Sequence, residues 1–204
     1  WYAELADKVF GKISPTGPDA LGMIVREPIG VVGAVLPWNF PAAMLAWKLG
    51  PALAAGNSIV VKPAELSSLT TLRIAELASQ AGVPDGVFNV ITGLGHVAGK
   101  ALGLHMDVDL IAFTGSTEVG RFFLQYSAQS NMKEIVLEMG GKSPQIVMPD
   151  CVDKIDTIAA ELAEGSFWNT GQNCSAGSRI LVHNSIRTQI VEALAKVANS
   201  RVVG

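Results

Sequence analysis

From Val31 to Glu138 short β-branched runs alternate with stretches of helical length, and this alternation restricts the possible folds of the chain more than any other feature. Val31–Leu36, Ser58–Lys62, Val87–Thr92, Asp109–Thr114 and Lys133–Glu138 read as strands. Between them lie four expected helices. The first opens at Pro41, a first-turn proline, and stops at Gly56-Asn57. The second spans 68–81, with Leu69, Leu72, Ala75 and Leu77 on roughly one face, and ends at Gly82-Val83-Pro84. The third and fourth cover about 97–104 and 116–127. Strands and helices joined by short turns predict right-handed crossovers and a parallel sheet covered by helices on both faces. Such sheets bind ligands beyond the carboxyl ends of their strands, where Lys62, Thr114-Gly115-Ser116 and Glu138 fall.

A second α/β region begins near Lys142. It has strands at 145–148 and 178–183, a helix over 152–169 leading to Cys174, and a last helix over 185–200. No repeat or low-complexity segment separates the two regions. No apolar stretch is long enough to cross a bilayer, since charges, glycine and proline interrupt each one. A net charge of −3, with no basic run, gives no footprint for nucleic acid. Two cysteines, Cys151 and Cys174, cannot form a disulfide framework, and the scattered His96, His105 and His183 offer no metal-ligand spacing.

Cys174 stands in Gly171-Gln172-Asn173-Cys174-Ser175-Ala176-Gly177, among small and flexible neighbours that suit chemistry better than packing. A thiolate adds readily to a carbonyl carbon. Cys151, in Pro149-Asp150-Cys151, reads instead as a buried small hydrophobe. Leu137-Glu138-Met139-Gly140-Gly141-Lys142-Ser143-Pro144 sets a carboxylate beside two glycines, and Pro37-Trp38-Asn39-Phe40-Pro41 holds an amide in a stiff turn. Nucleophile, base and oxyanion donor are what acyl chemistry through a thioester requires. Each has a plain alternative: a packed thiol, a solvated carboxylate, a turn-forming asparagine. Trp38, Trp47 and Trp168 read as packing residues, Trp168 with a possible channel-lining role. The chain lacks G-x-G-x-x-G, because Gly93-Leu94-Gly95-His96-Val97-Ala98-Gly99 has one residue too many. Phe113-Thr114-Gly115-Ser116-Thr117-Glu118-Val119-Gly120 joins a strand to a helix N-terminus suited to phosphate, with Ser116 as an N-cap or a phosphate donor.

These motifs together resemble the aldehyde dehydrogenase family. The F-T-G-S-T-E-V-G run matches letter for letter, K-P-x-E appears as Lys62-Pro63-Ala64-Glu65, and P-W-N-F-P, L-E-x-G-G-K-S-P and G-Q-x-C are all present. The resemblance implies a Rossmann-like dinucleotide-binding domain over 1–141 and the opening of a catalytic domain over 142–204. It assigns Cys174 as nucleophile, Glu138 as the base that activates water, and Asn39 with the Cys174 backbone N–H as oxyanion hole. Lys62 and Glu65 would hold the adenosine ribose, Gly95 would line the adenine side, Ser116 would sit at the pyrophosphate, and Trp38 joins this cofactor set. NAD is implied, with NADP possible, because a carboxylate at position 65 repels a 2′-phosphate.

A hydrolytic base argues for release of a free acid rather than transfer to coenzyme A. Ser130-Asn131-Met132-Lys133 resembles the branch handling ω-amino or γ-glutamylamino aldehydes. The resemblance further implies a cytoplasmic homo-oligomer acting on a small aldehyde, without nucleic-acid or membrane partners. Family members are much longer than this chain, so it reads as an internal piece, inactive or feeble by itself. The rival class is a non-catalytic binding or structural protein with the same fold; it has no need for Cys174, Glu138 and Asn39 together.

Overall fold

The computed structural model describes residues 1–202, so the last two positions of the expected catalytic region lie outside the described residues. Two units separate by their internal packing, Trp1–Glu138 and Met139–Gly204. The first opens with a short helix α1 (Tyr2–Leu5) and an antiparallel hairpin of β1 (Lys12–Ser14) and β2 (Gly22–Ile24). There follow β3 (Val31–Val35), α2 (Pro41–Ala54), β4 (Ser58–Lys62), α3 (Ser68–Gln80) and β5 (Phe88–Val90). A π-helical turn, Gly95–Gly99, runs into α4 (Lys100–Leu104), then β6 (Leu110–Gly115), α5 (Thr117–Ala128) and β7 (Glu134–Met139) complete the series. The sheet order is β5-β4-β3-β6-β7, with parallel pairing of β3 to β4 and β6 and of β4 to β5. Helix α5 carries the chain from β6 to β7, the crossover that parallel neighbours require. The expected Rossmann-like α/β sheet is therefore present, and each expected strand lies within two residues of its position.

Strands covered on both faces explain the unbroken apolar runs in the sequence. On one face Val32, Ala34 and Leu36 pack with Met44, Leu45, Ala52, Ile59 and Val61, so α2 closes that side. On the other, Phe113 meets Phe123 of α5 with ring centroids 5.0 Å apart. Gly33 lies under Leu102 of α4: a Cβ there would fall 2.5 Å from Ile111 Cδ1 and 3.1 Å from Leu102 Cγ. Away from the carboxyl rim, Asn57 Oδ1 accepts from the Gly30 N–H and Asp109 Oδ2 from the Val31 N–H, fixing the entry to β3.

Three expectations are corrected. Helix α3 does not bury its leucines: Leu69 is 80% exposed, with Leu72 and Leu77 also exposed, while Thr71 is fully buried and Ile74, Ala75 and Ala78 are half-buried. The small side allows close approach to the sheet, and Leu spacing alone pointed to the wrong face. Trp38, Trp47 and Trp168 are about half-exposed rather than buried. Cys151 is half-buried at the margin of a core, its thiol donating to the Met148 carbonyl at 3.0 Å.

The second unit pairs β8 (Pro144–Val147) in parallel with β9 (Arg179–Val182). Between them lies α6 (Ile155–Phe167), and after β9 comes α7 (Arg187–Asn199). Val147, Leu162, Ile186 and Ile190 form its core. Among the described residues no helix is long and apolar enough to cross a membrane.

Candidate functional site

Parallel strands bring their following loops to one rim, and the expected site residues of the first unit occupy it in order. Asn39 lies between β3 and α2, Lys62 ends β4, Gly93-Leu94-Gly95 follows β5, Ser116 follows β6, and Glu138 is the penultimate residue of β7.

Lys62 is 2% exposed, although a lysine ending a strand would ordinarily reach solvent. Its Nζ donates to Glu65 Oε1 at 2.9 Å, and the same oxygen accepts from the Gly95 N–H at 2.6 Å. Glu65 thereby joins the β4 end to the loop after β5, while its side chain remains 43% exposed. Burial alone would raise the Glu65 carboxyl; the hydrogen bond and charge of Lys62, with the Gly95 amide, outweigh it and hold the group below its ordinary value of 4.5. A carboxylate fixed on one oxygen and open to solvent suits a vicinal diol such as a ribose. Ser116 caps α5, its Oγ accepting from the Val119 N–H at 3.3 Å. The first-turn amides of this 12-residue helix therefore face the loop after β6, with the positive end of the helix dipole behind them. These features are compatible with a dinucleotide: a fixed, solvent-facing carboxylate after β4 and a phosphate-compatible helix start after β6.

Sequence reasoning missed Lys48. From α2 it donates to Thr114 Oγ1 at 2.6 Å, across 66 residues of sequence. Burial lowers its pKa, and the charge of Glu138 opposes that shift. An ammonium is thus held beside the strand end in the field of the expected base. Nothing short-range in the sequence marks it, since Trp47-Lys48-Leu49 reads only as part of a helix.

Cys174 belongs to the second unit. Helix α6 ends at Phe167, Trp168 is extended, and Asn169, Thr170 and Gly171 are all left-handed, with φ of 52°, 57° and 74°. This run stops the helix and turns the chain into the cysteine loop. Asn is tolerated in that region and Gly is at ease there, but the β-branched Thr170 is not. Beyond it, Asn173 Oδ1 accepts from the Ser175 N–H at 3.1 Å and the Ser175 hydroxyl at 3.0 Å, with the Cys174 thiol at 3.9 Å. The Ala176 N–H donates to the Asn173 carbonyl at 3.1 Å, closing a tight turn around the half-buried thiol. Asn173 is a second residue without an expected role. Its signal was the habit of asparagine of folding its side chain onto nearby amides. Asn173 and Ser175 share an open groove of about 520 Å³ with Glu164 and Trp168. Among the described residues no group of three His, Cys, Asp or Glu is placed to hold a metal.

The whole chain, residues 1–204, matches the aldehyde dehydrogenase family. It is 59% identical over 194 residues to an aminoacetaldehyde dehydrogenase of Pseudomonas aeruginosa, covering 95% of this chain and 39% of the relative. It is 52% identical over 200 residues to the NADP/NAD-dependent aldehyde dehydrogenase PuuC of Escherichia coli, covering 98% and 40%. The crystal structure of a γ-glutamyl-γ-aminobutyraldehyde dehydrogenase from Burkholderia cenocepacia superposes with a TM-score of 0.95 at 55% identity, covering 100% of this chain and 41% of that one. The chain thus spans about two fifths of the length of the curated relatives it matches. With a full-length family match, the fold of a close structural relative and the motifs on the carboxyl rim in agreement, the chain belongs to the aldehyde dehydrogenase family.

Proposed function

We propose that the protein carrying this chain oxidises a small aldehyde to a carboxylic acid with NAD, through a thioester on Cys174. The observation that carries this reading is the family match along all 204 residues. The Cys174 thiolate adds to the aldehyde carbon, and the resulting oxyanion accepts hydrogen bonds from the Asn39 side-chain amide and the Cys174 backbone N–H. One such donor is worth about 3 kcal/mol in transition-state stabilisation. NAD held at this rim would supply the hydride acceptor for the substrate carbon. Glu138 removes a proton from the water that hydrolyses the thioester. The Lys48 ammonium, anchored on Thr114, provides a counter-charge to Glu138. Lys62 and Glu65 hold the adenosine ribose, Gly95 and Trp38 flank the cofactor, and Ser116 with the α5 amides meets the pyrophosphate. A carboxylate at position 65 favours NAD over NADP, although the E. coli relative carries both cofactors in its name.

The substrate class we favour is an amino or γ-glutamylamino aldehyde. The names of the Pseudomonas and Burkholderia relatives and the Ser130–Lys133 segment support it. A catalytic free thiol suits a reducing compartment, which supports a cytoplasmic location, and a homo-oligomer is the assembly that the family resemblance implies. The test is selective alkylation. Iodoacetamide should modify Cys174 at least tenfold faster than Cys151, and in the protein carrying this chain Cys174→Ala should abolish aldehyde-dependent NADH formation. Retained turnover in the alanine variant overturns Cys174 as the nucleophile, and equal alkylation of the two thiols without aldehyde turnover in the wild type leaves a non-catalytic protein.

A further inference from the structure

Gln145, the second residue of β8, reaches out of its strand into the segment that carries Cys174. Its Nε2 donates to the Gly177 carbonyl at 2.7 Å, to the Leu162 carbonyl at 3.1 Å and to Ser166 Oγ at 3.1 Å. The two carbonyls accept only, so the amide cannot be turned the other way. Ser166 Oγ also donates to the Gly177 carbonyl at 3.0 Å, and the Gly177 N–H donates to the Gly165 carbonyl at 3.0 Å. Gly177, three residues after the thiol, is therefore held through both of its backbone groups to the last turns of α6.

The fit around the amide is close on both sides. A Cβ at Gly177 would lie 2.6 Å from Gln145 Cγ and 2.7 Å from its Cδ, and a Cβ at Gly165 would lie 3.0 Å from its Oε1. Two glycines thus flank one side-chain amide, one in α6 and one in the loop. The upstream end of the loop, by contrast, is the left-handed run Asn169–Gly171, which holds its position against the preference of Thr170. The loop leaves α6 in an unfavoured conformation and is tied back to the same helix through Gln145.

We infer that Gln145 is a positioning residue for the nucleophile loop: it locks the Cys174 segment onto α6 and so sets the direction in which the thiol is presented. This rests on Cys174 being the nucleophile. Gln145 itself touches no reacting atom, and an apolar residue of the same length would preserve the packing while losing every hydrogen bond.

The test is Gln145→Met in the full chain, with Ser166→Ala as a milder variant that removes one partner and guards against misfolding of the first. Amide hydrogen exchange over 168–178 should accelerate about tenfold in Gln145→Met and less in Ser166→Ala, with less than twofold change in α7. The pH–rate profile for iodoacetamide at Cys174 should shift in the same order, while that of Cys151, the internal control, stays fixed. Unchanged exchange over 168–178, or an equal increase across the whole second unit, overturns the inference. A wild-type Cys174 no more reactive than Cys151 would remove the nucleophile reading, while the exchange data still decide what Gln145 does to the loop.

Discussion

Replacing Glu65 by Gln keeps the shape of the side chain and an oxygen for the Gly95 N–H, but leaves the buried Lys62 ammonium facing a neutral group. Charge-assisted hydrogen bonds contribute about 1.5–3 kcal/mol. Glu65 is 43% exposed, so solvent screening brings the loss to the low end, about 1–1.5 kcal/mol. With a urea slope of about 2 kcal/mol/M, the unfolding midpoint should fall by roughly 0.5 M at pH 7. The pH dependence is the sharper test. Because the folded-state pKa of Glu65 is depressed, its contribution is present above the ordinary value of 4.5 and is lost as pH falls through the folded value. The gap between wild type and Glu65→Gln should be full at neutral pH and close progressively below pH 4.5. Adding Lys62→Met should recover most of the loss, since no unpaired buried charge then remains. Urea titrations monitored by tryptophan fluorescence at several pH values measure all three. A gap that is absent at pH 7, or constant down to acid pH, refutes the account of how Lys62 is held.

Three further outcomes follow from the geometry. Ser116→Ala removes the α5 cap and should cost about 1 kcal/mol in urea unfolding; no loss means the cap bond contributes nothing. Gly33→Ala forces a methyl against Ile111 and Leu102, costing about 1–3 kcal/mol, less the 0.5–1 kcal/mol by which Ala outperforms Gly in a strand. The net loss of about 0–2.5 kcal/mol should shrink when Leu102→Ala is added, and a stabilised Gly33→Ala would contradict the close approach of α4. Thr170→Gly relieves about 1–2 kcal/mol of left-handed strain against about 0.5–1 kcal/mol of added chain entropy, so thermal unfolding of the second unit should move up slightly; a lower midpoint would argue that Thr170 makes contacts worth more than its strain.

How much of this was legible depended on whether the signal was local. The central strands could be read because both of their faces are covered, so that runs such as Ile59-Val60-Val61 are apolar without interruption. The rim residues could be read because a parallel sheet delivers strand ends to one side whatever lies between them. The hairpin β1–β2 escaped notice because three-residue strands such as Lys12-Ile13-Ser14 carry too little pattern to stand out. Helix α3 misled because its leucines outweigh the small residues that actually pack. The third helix begins as a π turn, Gly95–Gly99, where the Gly95 amide is committed to Glu65; periodicity does not record such a bond. Lys48 and Gln145 were illegible for one shared reason: each acts on partners that the fold brings near and the sequence keeps apart.

The left-handed run at Asn169–Gly171 also determines how far α6 extends. Were residues 168–171 right-handed, the helix would gain about one turn, lengthening by roughly 6 Å along its axis. The cysteine would then start from the tip of a longer rod instead of from a chain folded back beside it. Backbone handedness over three residues, more than the chemistry of any one of them, therefore meters the delivery of the sulfur.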